Sequence, residues 1–123
     1  MQVSIALSGG AVITALVSRD AARQLRLRKG LEAIALVKAS AVVLVCDLAG
    51  WRLSASNQFA GTVARIDKGA VSSLVGLTLP GGAVVSASIT NDAVSALGLQ
   101  VGQAATAVFK ASAVMVAVAG SAA

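Results

Sequence analysis

Apolar and polar positions along this chain alternate in short runs bounded by turn residues, the pattern of half-buried strands. The second half reads most clearly. Gln58 to Ile66 mixes β-formers with Gly61 and stops at Asp67-Lys68-Gly69, a turn signal. Val71 to Leu79 is a second strand, and Pro80-Gly81-Gly82 makes a hairpin turn because glycine supplies the positive φ that tight turns require. Ala83 to Ile89 returns. Thr90 then caps a helix of about two turns, with Asp92 in its first turn, Val94 and Leu97 on one face and Gly98 at its C-terminal end. Ala104 to Phe109 and Ala113 to Val118 are the last strands, interrupted by Lys110-Ala111-Ser112.

The same pattern occurs twice. A shift of 72 positions lays GGAVITA, Gly9 to Ala15, on GGAVVSA, Gly81 to Ala87, and KASAVVLV, Lys38 to Val45, on KASAVMVA, Lys110 to Ala117. Residues 3–45 and 75–117 are identical at 19 of 43 aligned positions, with the glycines and lysines in the same order. The first copy has no counterpart of residues 53–72, so it lacks the first strand of the unit. Ser18 takes the capping place of Thr90, but Arg26 stands where the second copy has Gly98. A non-glycine residue there must adopt a left-handed conformation at about 1 kcal/mol or end the helix differently, so the first helix is expected to be the less regular. The resulting expectation is a mainly β chain of small five-stranded barrels in tandem, each with one short helix and similar to the oligonucleotide-binding type. The units are residues 1–47, partial, and 52–123, complete. Residues 48–51 form a linker whose Trp51 is expected to anchor it against a barrel or a neighbouring subunit.

Composition adds partners. Of 123 residues 57% are apolar and only 12% charged, about half the ~25% usual for soluble domains. Small halves with so little charge are expected to complete their cores by forming a homo-oligomer. No run of ~20 apolar residues is present, since the longest candidate, Ala33 to Cys46, is broken by Lys38. No membrane association and a cytoplasmic location are expected. Cys46 is the sole cysteine; its apolar neighbours suggest a buried, inert thiol. Ten basic against five acidic residues give +5, favouring anionic partners. Arg19, Arg23, Arg26, Arg28 and Lys29 crowd together and read most simply as a solvated helix face. Nucleic-acid binding is disfavoured, because barrels of this type stack bases on aromatic side chains and only Trp51, Phe59 and Phe109 are available.

The chemistry is narrow. Histidine and tyrosine are absent and the five acids are scattered, so no acid–base pair or His/Cys metal site has recognisable spacing, and no enzymatic activity is expected. Neither GxxxxGK[ST] nor GxGxxG occurs. What recurs is small hydroxyl residues, tight turns and the solitary Lys38 and Lys110, a set suited to a compact oxyanion: turn N–H groups form anion-binding concavities, hydroxyls donate, and one lysine supplies charge. The plainer reading leaves both lysines in solvent at strand ends and Ser54, Ser56 and Asn57 as turn formers.

RLSASNQFAGTV, then DKGAVSS, LPGGAVVSASITNDAVSALGLQVGQ and VFKASAVMVAV, resemble the Mop domain of molybdate-binding proteins, the molbindins. The tandem arrangement is similar to two-Mop storage and homeostasis proteins and to the C-terminal domain of the molybdate-responsive regulator. The resemblance covers residues 52–118 and, in part, 3–45. It implies barrels paired or strand-exchanged with their neighbours, six units to an assembly, hence a trimer of two-unit chains, with no cofactor and with molybdate or tungstate bound between units. Carried across, the ligand-holding positions are Ser54, Ala55, Ser56 and Asn57; Gly69, Ala70 and Val71; Thr90; and Lys110, Ala111 and Ser112. In the first copy Ser18, Lys38, Ala39 and Ser40 match. The function implied is intracellular molybdenum storage or homeostasis; the alternatives are a sensing domain of a regulator or transporter ATPase, and a member that assembles without binding. The family has arginine where Ser56 stands, so this chain lacks a cationic fork suited to oxyanions.

Overall fold

The computed structural model describes residues 1–120. Nine strands and two helices follow one another as β1 (Gln2–Ala6), β2 (Val12–Leu16), α1 (Arg19–Gln24), β3 (Ala33–Val37), β4 (Val43–Val45), β5 (Asn57–Lys68), β6 (Ser72–Thr78), β7 (Val84–Thr90), α2 (Asn91–Leu97), β8 (Ala104–Phe109) and β9 (Val114–Val118). Short 3₁₀ turns, Ala39–Ala41 and Ala111–Ala113, precede β4 and β9. The expected strands and turns are present, and β5 runs further than the sequence suggests, to Lys68.

The sheets show how the repeats are joined. In the second repeat the order is β4-β8-β5-β6-β7, all neighbours antiparallel. Its outermost strand, β4, comes from the first repeat. In return β9 of the second repeat pairs with β3 of the first, Ala33 opposite Val118 and Val37 opposite Val114. Each repeat thus hands its last strand to the other. Among the described residues the first repeat has the order β9-β3 and, separately, β1-β2, with no strand joining β3 to β1 as β5 joins β8 to β6 in the second repeat.

One core serves both repeats. Ala15, Val42 and Leu44 from the first half are buried in the same cluster as Val63, Val75, Leu77, Ala107 and Phe109 from the second. Gly61 explains how β5 serves two partners. It pairs with β8 through Asn57–Thr62 and with β6 from Thr62 onward, and a Cβ at Gly61 would lie 2.5 Å from the Thr78 carbonyl oxygen. A side chain there would block the crossing.

The helices differ as their ends predict. In α2, Thr90 Oγ1 accepts from the Ala93 N–H at 3.1 Å and Gly98 closes the helix at φ 61°. In α1, Ser18 Oγ caps Ala21 at 3.0 Å, but the helix is one residue shorter and Arg26 is driven to φ 54°.

One expectation fails. Cys46 is exposed: it follows the last residue of β4, where the chain leaves the sheet, so its apolar neighbours do not carry it inward. Trp51 is 78% exposed within the chain, so it is not anchored against either barrel. The irregular connection spans residues 46–56, longer than the four-residue linker expected.

Candidate functional site

The residues singled out above fall into three groups. The first lies on the seam between repeats. Asn57 opens β5 opposite Phe109, the last residue of β8, which places Ser54 to Asn57 beside the Lys110-Ala111-Ser112 turn. That turn packs on β2 of the other repeat. Asn57 is 1% exposed and both ends of its amide bond across the seam: Oδ1 accepts from the Thr14 N–H and Nδ2 donates to the Thr14 carbonyl, both at 2.8 Å. Its structural role is to clip β5 to β2. Gln58 Nε2 donates to the carbonyls of Ala55, at 2.9 Å, and Leu53, at 3.3 Å, and so shapes the loop carrying Ser54 and Ser56. Both serines are exposed.

The second group is the symmetry mate of part of the first. Lys38, Ala39 and Ser40 form the turn that packs on β7 of the second repeat, as Lys110 to Ser112 packs on β2. In each turn the lysine stands at the N-terminal flank in extended conformation, its carbonyl accepting from Ala41 or Ala113 at 2.9 Å. The first N–H groups of such a turn have no partner within it, and the lysine beside them is exposed in both repeats, while Ala111 is buried and Ala39 half-buried. No counterpart of Ser54 to Asn57 accompanies this turn among the described residues.

The third group gathers at the far end of β5. Asn91, the first residue of α2, ties it together: its Nδ2 donates to the Gly69 carbonyl at 2.9 Å, its N–H donates to the Val71 carbonyl at 2.9 Å, and its Oδ1 accepts from Ser73 Oγ. The Gly69-Ala70-Val71 turn is thereby held against Thr90 and the start of α2. Asn91 was not singled out from the sequence; its place directly after a capping threonine was the available signal. The counterpart of Asn91 in the first repeat is Arg19, so Ser18 caps its helix without such a turn beside it.

Groups one and three stand at opposite ends of a strand with a contour of roughly 35 Å, eleven steps of ~3.3 Å. A single small anion cannot touch both within one repeat. Among the described residues no cluster of three His, Cys, Asp or Glu side chains could hold a metal ion. Phe109 is buried and its ring centroid lies 5.7 Å from that of Phe59, so this pair packs on itself. No helix is long and apolar enough to cross a membrane among the described residues.

Two OB-like β-repeats that exchange their last strands and set lysine-flanked turns on each other define a paired small-barrel module. The chain belongs to the TOBE domain family, whose model matches residues 1–44 and 53–116. It is 63% identical over 117 residues to the molybdenum transport protein ModE of Herbaspirillum seropedicae, covering 95% of this chain and 44% of that protein. It is 39% identical over 116 residues to the molybdenum-pterin-binding protein MopA of Rhodobacter capsulatus, covering 94% and 44%. The chain thus spans less than half the length of these relatives. In structure it is similar to the cytoplasmic molybdate-binding protein ModG with molybdate bound, with a TM-score of 0.92 at 45% identity over 96% of this chain and 84% of that one.

Proposed function

We propose that this chain is a non-enzymatic binding protein for molybdate or tungstate, acting in the cytoplasm in molybdenum storage or homeostasis. The observation that carries this reading is the likeness to molybdate-bound ModG along nearly the whole chain, together with the duplicated Lys-Ala-Ser turns at the seam. Both lysines are exposed and flank turns whose first N–H groups have no partner within the turn, which suits a compact dianion needing many hydrogen bonds when it is desolvated. Ser54, Ser56, Ala55 and the backbone beside Lys110 to Ser112 would contribute at one site. Asn57 would hold that loop in place.

Gly69 to Val71 and Thr90 would serve a ligand in a different place, or the same ligand approached by a second copy of the chain. A homo-oligomer, a trimer in the simplest case, fits this division. Apolar side chains are exposed at matched positions of both repeats, Val12 with Val84 at 50% and 63% and Val43 with Met115 at 56% and 57%. Repetition of an exposed apolar position in both copies is the pattern of a symmetric interface. Calorimetric titration with molybdate and tungstate tests binding, and sedimentation tests assembly. Absence of heat with both anions sinks the binding reading.

A second reading is a sensing domain of a longer regulator. It is favoured by the 63% identity to ModE over less than half of that protein's length. A DNA-binding segment fused to these residues, releasing or gripping DNA on addition of molybdate, would select it over storage.

A further inference from the structure

The two repeats part company in charge at one place. Arg19, Arg23, Arg26, Arg28 and Lys29 lie on α1 and the turn after it, and their equivalents 72 positions on are Asn91, Ser95, Gly98, Gln100 and Val101, none of them charged. All five cations are exposed. Among the described residues the only ion pair joins Arg65 to Asp67, so none of the five is paired, although Asp20 and Glu32 belong to the same stretch. Ser95, Gly98, Gln100 and Val101 are also exposed, on the repeat that β5 completes, so this surface is open in the finished unit. Two of the cations stand where local structure disfavours them. Arg19 opens α1, at the positive end of the helix dipole. Arg26 is held at φ 54° where the other repeat has glycine. Arg19 and Arg23, four residues apart on one face of α1, also repel each other. A merely solvated face gains nothing from these costs, because neutral residues would remove them; an anionic partner offsets them.

We propose that α1 and the turn after it dock on the phosphate backbone of duplex DNA, holding it without reading its sequence. Four of the five cations are arginines, whose planar fork matches phosphate oxygens. At ~1.5 Å per residue the stretch from Arg19 to Arg26 covers roughly 10 Å, about three phosphate steps along one strand at ~3.4 Å each. Arg28 and Lys29 continue the line. Other anionic surfaces fit less well. A membrane surface would need apolar side chains standing out beside the cations, yet Val17, Leu25, Leu27 and Leu31 are all half-buried. The same lack leaves an acidic protein without the aromatic or aliphatic anchors on which a protein interface turns. A single strand would need aromatic rings to stack its bases, and Trp51, Phe59 and Phe109 all lie outside this segment. That scarcity of aromatic rings counts against base stacking and leaves phosphate docking untouched.

The test titrates the full chain into a fluorescent DNA duplex of about 20 base pairs, without molybdate, and follows anisotropy. The expected binding is the same for unrelated sequences and falls about 10²–10³-fold between about 50 and 200 mM salt, the dependence of four or five phosphate contacts. Arg23→Gln should weaken it equally for every sequence and lower the salt slope by about one contact. Lys68→Gln, the same charge change at the far end of β5, should leave affinity and slope as they were. Arg26→Gly should weaken DNA binding while leaving Tm unchanged or higher, which separates loss of contact from loss of fold. No binding at about 50 mM salt overturns the proposal, and so does a salt slope that neither arginine variant moves. Tighter binding to phosphatidylserine vesicles or to polyglutamate than to the duplex would assign the surface to a membrane or to an acidic protein and overturn it equally. Tighter binding to an RNA duplex of the same sequence would do the same. None of these outcomes depends on the oxyanion.

Discussion

Gly9 and Gly81 meet back to back where the two repeats cross. They are equivalent positions of the repeat, at φ 96° and 97°, and a Cβ built on either would lie 2.7 or 2.6 Å from the Cα of the other. Two hairpin turns can touch at this distance only if neither carries a side chain. Gly81→Ala is therefore expected to cost about 2–4 kcal/mol, from backbone strain together with the overlap. Gly82→Ala separates the two causes: Gly82 has φ 98° but nothing within 4 Å of its Cβ position, so only strain of about 1–2 kcal/mol should appear. Denaturant unfolding of the two variants checks the difference.

Asn57→Ala removes both bonds to Thr14 and leaves a partly buried backbone pair unsatisfied. A loss of about 2–3 kcal/mol is expected. Faster hydrogen exchange at the Thr14 amide would localise the damage to the seam, whereas an unchanged Thr14 rate would show that the clip is not holding β2.

For the ligand, Lys110→Ala should weaken molybdate binding about tenfold or more, the scale of one charge-assisted hydrogen bond. Ser56→Arg should strengthen it by a similar factor, because a planar fork adds two donors beside the Lys110 turn. Calorimetry on both variants reads this directly. Unchanged affinity in both would remove the seam from the binding site.

Arg26→Gly relieves a left-handed residue at the end of α1. The expected gain is about 1 kcal/mol, with Tm rising by a few degrees. A loss would mean that the Arg26 side chain contributes more than its backbone costs.

Cys46, exposed beyond the end of β4 with Gln103 Nε2 3.7 Å from its sulfur, should react with a thiol reagent in the native state, one equivalent per chain. Reaction only after denaturation would restore the buried thiol that its neighbours suggest, or indicate that another copy covers it.

Strand positions, hairpins and caps were legible because each depends on a few adjacent residues: alternation from Gln58 to Ile66, the Pro80-Gly81-Gly82 turn, Thr90 and Gly98. Partner choice was not. The alternation in Ala113 to Val118 says that a strand forms but not whose sheet it enters, so the pairing of β9 with β3 had no local signal. Burial was misread where composition stood in for geometry. Cys46 follows three apolar residues yet lies past the strand end, and Trp51 meets neither barrel within the chain. At the site, Ser-Ala-Ser-Asn was recognisable as a unit, but Asn57 turned out to spend its amide on Thr14, a contact across 43 positions that no spacing rule contains.

The exchange of β4 and β9 bears on how the molecule comes apart. Neither repeat owns a complete sheet, so neither can melt while the other survives, and a weak strand in one copy is felt as a defect in its twin. Cutting the chain within residues 46–56 would leave two interlocked peptides whose stability now depends on dilution. The tether between the repeats therefore sets an effective concentration, and it turns what would be a dissociable pair into one cooperative body.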